Sequence, residues 1–250
     1  MNVKDRVVIV TGSGSGIGKE IMKRLTAHGA KGVVVDMNRE AADKTAGEIN
    51  AAGESAIAVT CNCTNKADVQ AMVEETMSSF GKIDILVNNV GILRDNYLAK
   101  MPEADWDVVL NVNLKSYFLC SQAVVSNMMA AQYGRIINIS SRAWLGNAGQ
   151  ANYSAAKGGI VSLTRTMALE LGKFNITSNC IAPGVIDTPL IRSLRPDVQE
   201  RLAKAQPTSR FGTPAEIAYA AHFFASDEAW YMTGQVLHIC GGKSLGIYGH

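Results

Sequence analysis

The stretch Val7-Val8-Ile9-Val10-Thr11-Gly12-Ser13-Gly14-Ser15-Gly16-Ile17-Gly18 decides how this chain is read. Five consecutive β-branched residues suit a strand buried on both faces. Glycines then punctuate a turn, and the pattern over 16–28 predicts a helix. In a strand, glycine-rich turn and helix, free amides at the helix start can face a phosphate. Gly12, Gly16 and Gly18 would allow a tight turn and close backbone approach. Three residues separate Gly12 from Gly16, so the spacing departs from G-x-G-x-x-G. The turn reads as a dinucleotide cradle, with a purely structural turn as the alternative.

Outward from this unit the same alternation repeats. Further strands are expected at 31–36, 56–60, 83–88, 135–139, 176–181 and 236–239. Helical stretches are expected at 40–52, 104–131 and 150–174. Strand-helix alternation with right-handed crossovers predicts an α/β fold, a doubly wound Rossmann-type parallel sheet of about seven strands with helices on both faces. With 250 residues, 47% of them hydrophobic and 18% charged, the chain suits one domain over 1–250. The segment 183–213 carries Pro183, Pro189, Pro196 and Pro207 and reads as a substrate lid at about 184–213, or else an ordinary surface excursion.

A net charge of +2 argues against nucleic acid or an anionic membrane as the main partner. Five cysteines, an odd number without a scaffold spacing, are expected to be reduced thiols. The start of the chain is too charged for a signal peptide, and no apolar stretch reads as a membrane span. The expectation is a cytoplasmic protein.

Chemistry enters with Tyr153 and Lys157, four residues apart and therefore on one helical face. A phenol ionises near pH 10, and a fixed cation nearby would favour phenolate. The pair reads as a proton-transfer device. Asp36, at the end of the second strand, can accept bonds from both adenosine ribose hydroxyls and would repel a 2′-phosphate. Positions 13 and 15, where a cation could meet that phosphate, are both serine; Arg39 is the one contrary sign. Ser141 follows a strand and could donate to a substrate oxygen. It lacks a nucleophile elbow, and none of His28, His222, His238 and His250 has a partner motif, which excludes a serine hydrolase. Asn113 inside a helix is either a functional or a buried structural amide.

The ordered set Thr11–Gly18, Asn88-Asn89-Val90-Gly91, Asn113, Ser141, Tyr153, Lys157 and Pro183-Gly184-Val185-Ile186-Asp187-Thr188-Pro189 resembles the short-chain dehydrogenase/reductase family over essentially the whole chain. Gly91-Ile92-Leu93-Arg94-Asp95-Asn96 is similar to the 3-oxoacyl-ACP and acetoacetyl-CoA reductase branch. The resemblance implies an oxidoreductase that interconverts a secondary alcohol and a ketone with NAD(H) and needs no metal. Its small-molecule partner would be that ketone or alcohol, and its assembly a homotetramer. Tyr153 would be the general acid and base, Ser141 would hold the substrate oxygen, and Lys157 would lower the tyrosine pKa and bind the nicotinamide ribose. Asn113 would position a water linking Lys157 to solvent. The cofactor would be held by Gly12, Ser15, Gly16, Ile17, Gly18, Asp36, Asn62, Cys63, Asn89, Gly91, Tyr153, Lys157, Pro183, Gly184, Ile186 and Thr188. Departures from the family pattern are Asn62 for a common aspartate, Val90 for alanine and Cys240 for aspartate. The segment 128–133 lacks the cations of carrier-protein reductases. Arg142 and Trp144 would shape a small-molecule pocket or form a solvent-facing pair. A 3-oxoacyl-thioester reductase and a non-catalytic dinucleotide sensor are the alternatives.

Overall fold

A computed structural model describes residues 1–246; His250 and the side chains of Pro189 and Leu190 lie outside the described residues. The elements run β1 (Val7–Thr11), α1 (Gly16–Thr26), β2 (Lys31–Asp36), α2 (Arg39–Ala51), β3 (Ser55–Thr60), α3 (Lys66–Phe80) and β4 (Ile85–Asn88). Next come α4 (Glu103–Leu110), α5 (Ser116–Ala131), β5 (Gly134–Ile139), α6 (Ala151–Leu171) and β6 (Ile176–Pro183). Last are α7 (Pro189–Arg192), α8 (Pro196–Lys204), α9 (Pro214–Ala225) and β7 (Val236–Ile239). All seven strands pair in parallel in the order β3-β2-β1-β4-β5-β6-β7.

Side-chain alternation along each strand sorts the core into two layers. Val8 and Val10 of β1 face one way and pack with Ile21, Leu25, Ile49 and Ile217, from α1, α2 and α9. Val7 and Ile9 face the other way, toward Val69, Met72, Val124 and Met167 from α3, α5 and α6. Strand order reverses at β1, with β2 and β3 added on one side and β4 onward on the other; such a switch point places a crevice beyond the strands' carboxyl ends.

Sequence periodicity overlooked α3 and α9. The buried stripe of α3 is narrow, Val69, Met72, Val73 and Thr76. For α9 a signal was present: Thr213 accepts from Glu216 N, Glu216 accepts from Thr213 N, and Pro214 opens the helix. The expected helix over 104–131 is continuous, but Asn111–Lys115 form a π turn between α4 and α5. Contrary to the reading above, Glu103–Ala131 is long and apolar enough to cross a bilayer. Its buried Asn113, Ser116 and Ser121 and its packing against α3, α6 and the sheet make it a core helix. The described cysteines are all free and buried.

The segment after β6 carries α7 and α8, and its two ends are stitched together. Ile186 bridges Gly212, Asp187 N donates to Gly212 O (2.8 Å), and Gly212 N donates to Val185 O (3.0 Å).

Candidate active site

The glycine turn is clamped from β4. Asn89 Nδ2 donates to Thr11 O (3.0 Å) and Gly12 O (3.1 Å), and Asn89 N donates to Thr11 Oγ1 (3.0 Å). Gly16 has φ +56, and a Cβ there would meet nothing within 4 Å. At Gly18 a Cβ would stand 2.4 Å from Gly12 O, so only glycine closes the turn. Ser15 caps α1 without a side-chain hydrogen bond, and no acidic residue occupies the first turn. The helix start thus keeps its amides and its positive dipole end for an anion, and the cradle fits a dinucleotide pyrophosphate.

Asp36 is held at this turn: Gly14 N donates to Oδ2 and Asn38 N to Oδ1, both at 3.0 Å. The capping role and a ribose role are compatible, because a carboxylate offers about four acceptor sites. The two serines separate. Ser15 is exposed, whereas Ser13 is buried, donating to Val10 O (2.6 Å) and accepting from Val35 N (3.0 Å). Position 13 therefore faces the sheet and cannot meet a 2′-phosphate. Asn62 is exposed and closes a turn by accepting from Thr64 N and Oγ1, while Cys63 is buried beside Cys61 and Cys120. Pro183 ends β6, and a Cβ on Gly184 would collide with Cys240 Cα at 2.8 Å. Ile186 is buried and Thr188 half-buried where the segment leaves β6.

The π turn places Asn113 where its amide grips the segment after β4. Its Oδ1 accepts from Ile92 N (2.7 Å) and its Nδ2 donates to Ile92 O (2.8 Å). π turns recur at functional sites because they re-aim a few residues of a helix. These two bonds use one donor and one acceptor of the Asn113 amide and fix its orientation. Gly91 lies alongside: a Cβ there would be 3.2 Å from Asn113 Oδ1 and 3.6 Å from Lys157 Nζ.

Ser141 follows β5 and accepts from Ala143 N (3.1 Å). Its hydroxyl is close enough to exert a lowering influence on the Tyr153 phenol. Two residues that sequence reading missed fix this arrangement. Ser140 Oγ donates to Lys157 O (2.8 Å), tying β5 to α6. Buried Asn152 donates to Arg94 O (3.0 Å) and Asp105 O (3.1 Å) and accepts from Tyr153 N (2.7 Å). Neither residue carries a signal in the sequence beyond its polarity.

Tyr153 and Lys157 share a face of α6, with Nζ 5.5 Å from the Tyr153 ring centre. Their electrostatics run opposite to the expectation. Burial pushes the Tyr153 phenol up to about 12, against a lowering influence of Ser141 and with a further rise from Asp95. Lys157 is not among those influences. Burial brings its own pKa down to about 7, and Nζ donates instead to Ile139 O (2.8 Å) and Tyr117 Oη (3.3 Å). In a dry site each charged form is disfavoured, and here desolvation outweighs attraction.

Three comparisons place this geometry among known proteins. A family model described as Enoyl-(Acyl carrier protein) reductase matches residues 12–244. The chain is 48% identical to the (2S)-[(R)-hydroxy(phenyl)methyl]succinyl-CoA dehydrogenase subunit BbsD of Thauera aromatica, covering 98% of this chain and 99% of that one. It is 40% identical to the 3-oxoacyl-[acyl-carrier-protein] reductase FabG of Thermotoga maritima, covering 97% and 99%. Levodione reductase superposes with a TM-score of 0.93 at 34% identity, over 97% of this chain and 99% of that one. The chain belongs to the short-chain dehydrogenase/reductase family. It is an oxidoreductase of the alcohol-ketone kind.

Proposed function

We propose that this protein is an NAD(H)-dependent dehydrogenase/reductase that interconverts a secondary alcohol and a ketone, with Tyr153 as proton donor and acceptor. The observation that carries the reading is Tyr153 and Lys157 on one face of α6, with Nζ 5.5 Å from the Tyr153 ring centre and Gly91 alongside it. When bound, the nicotinamide supplies the hydride chemistry. Ser141 holds the substrate oxygen, and Tyr153 donates its proton to that oxygen in reduction. A phenol held at about 12 stays protonated through the physiological range, which suits the acid role. Asn113 holds the segment after β4 through Ile92, and Lys157 would bind the nicotinamide ribose. Gly12, Ser15, Gly16, Ile17 and Gly18 take the pyrophosphate, Asp36 the adenosine ribose, and Ile186 and Thr188 the carboxamide. The excursion over 184–213 serves as the substrate lid.

Asp36, fixed at the glycine turn, supports NAD(H) over NADP(H). A cytoplasmic homotetramer accompanies this reading. Two separate sets of exposed apolar side chains support two interfaces: Trp106, Phe118 and Leu169 on the helices, and Trp230, Tyr231 and Leu237 beside β7.

Within this activity a CoA thioester is the second reading, favoured by the CoA substrate in the name of the Thauera aromatica relative. A carrier protein fits less well. The lid's cations Arg192, Arg195, Lys204 and Arg210 are paired with Asp187, Asp197, Glu200 and Glu216, which weakens docking of an acidic partner. The test follows absorbance of reduced cofactor with a ketone panel, acetoacetyl-CoA and both nicotinamide cofactors, in both directions. Turnover of a ketone or 3-oxoacyl thioester with NADH is expected; no turnover with any carbonyl would remove the assignment.

A further inference from the structure

We propose that Tyr117 is a positioning residue for Lys157: its hydroxyl and the Ile139 carbonyl form a socket that holds the lysine ammonium behind Tyr153. Tyr117 opens α5 just after the π turn and is 1% exposed. Its hydroxyl donates to Ile139 O (2.9 Å) and accepts from Lys157 Nζ (3.3 Å). Lys157 Nζ also donates to Ile139 O, which closes a three-member ring of polar atoms. The Tyr117 ring centre lies 5.1 Å from Nζ, within cation–π range. The rest of Tyr117 packs in an apolar cluster with Ile160, Val161 and Cys180. A phenylalanine would fill that space without burying a hydroxyl, and a buried hydroxyl costs free energy unless it is bonded. The two bonds satisfy it, and one of them ends on the proposed cofactor-binding lysine.

The groups facing Lys157 are Tyr153 on its own helix, Tyr117 from α5 and Cys180 from β6; Gly91, Asn113 and Ile139 bring no charge. All three acids titrate above Lys157. Tyr153 stands at about 12, Cys180 is pushed up to about 11 by burial, and Tyr117 is raised well above the usual phenol value by burial. Lys157 is therefore the first of the four to lose its proton as pH rises. An acceptor on Nζ stabilises the charged form, so removing the Tyr117 oxygen lowers the pH at which Lys157 becomes neutral.

This inference rests on the proposed role of Lys157, and the experiment separates the two. The reductive kcat/KM is measured from pH 5 to 9 for wild type, Tyr117→Phe, Lys157→Met and the double variant, with thermal melting to confirm folding. Tyr117→Phe is expected to move the alkaline limb down by about one pH unit. Its rate would then be about tenfold lower at pH 8 and near wild type at pH 5. In the Lys157→Met background the same substitution should have no further effect on the profile. If Tyr117→Phe does not fold, Tyr117→Met removes the same oxygen with an adaptable side chain and carries the same expectation. An unmoved limb in folded Tyr117→Phe or Tyr117→Met, where Lys157→Met alone abolishes it, reduces Tyr117 to space filling. A limb that survives Lys157→Met overturns the role given to the lysine, and the socket with it.

Discussion

The two ends of the sheet use charge in opposite ways. At the amino ends, Arg6 bonds both oxygens of Asp227 (3.0 and 3.1 Å) and reaches Asp84 (3.4 Å), which Lys82 also meets (2.9 Å). Asp84 accepts from Val7 N, and Tyr133 lies between the guanidinium groups of Arg6 and Arg135 and donates to Asp227. At the carboxyl ends, the buried cation Lys157 meets only a carbonyl and a hydroxyl, and its pKa falls to about 7. At the amino ends each cation has a carboxylate partner, and these pairs tie strands and loops together. Buried groups without a counter-ion are moved toward neutrality, where a proton can be exchanged. The difference marks one end as structural and the other as chemical.

Breaking the chemical end should give the largest effect and leave the structural end intact. Tyr153→Phe removes the phenol oxygen but keeps the ring, so we expect a loss of about 10²–10⁴ in kcat with cofactor affinity retained. Unfolding free energy should stay within about 0.5 kcal/mol of wild type. The measurement pairs turnover with NADH titration and urea unfolding. Retention of more than about a tenth of the activity would assign the proton to another group.

That division was half legible in the sequence. The chemical end announces itself, because glycines at a turn and Tyr-x-x-x-Lys are constrained by spacing. The strands were legible too, since β1, β2 and β4 centre on short β-branched or aliphatic runs buried on both faces, and β5 carries the Ile136-Ile137 pair. What stayed hidden depends on contacts far apart in the chain. Tyr117 meets Lys157 across 40 positions, and Asp227 meets Arg6 across 221. Asn88, Asn138 and Thr164 form a buried amide-hydroxyl ladder from β4 to α6 that no local pattern predicts. The Tyr153 shift was misjudged for a related reason: helical spacing gives the pair's proximity but not its desolvation.

Asp36 sharpens the comparison, because this carboxylate at the chemical end also has structural bonds. We expect Asp36→Ala to narrow the NADH-over-NADPH preference by about tenfold or more by removing repulsion of a 2′-phosphate. Asp36→Asn is the better probe, since it removes the charge and keeps an acceptor for Gly14 N. Specificity constants for both cofactors decide it. A preference unchanged in both variants would place discrimination elsewhere.

At the structural end, Asp227→Asn should cost about 1–2 kcal/mol by urea unfolding. The figure is kept small because the Asp227 side chain is 41% exposed and solvent screens it. Buried Arg135 and half-buried Arg6 would lose their shared carboxylate. kcat/KM should remain within about twofold, since surface and structural changes away from the site act mainly on stability. A large catalytic loss with unchanged stability would erase the distinction between the two ends.

The smallest effect is expected where the serine turn meets the sheet edge. Trp144 Nε1 donates to His238 Nε2 at 3.0 Å, and the two rings stack with centres 5.9 Å apart. Trp144 N also donates to Ser141 O, so the indole ties the turn carrying Ser141 to β7. This bond requires a lone pair on Nε2 and hence a neutral imidazole. Burial lowers the His238 pKa below its ordinary value, which keeps the ring neutral at pH 7. The tie is complete above that lowered pKa and is lost as pH falls through it. Trp144→Phe keeps most of the packing and removes the donor, so we expect kcat/KM to fall by about two- to tenfold at neutral pH. The wild-type rate should drop toward the variant's on the acid side, because protonated His238 can no longer accept. His238→Gln, which offers a carbonyl acceptor that does not titrate, should flatten this acid drop. Parallel acid limbs for wild type, Trp144→Phe and His238→Gln would show that Ser141 is held without the indole.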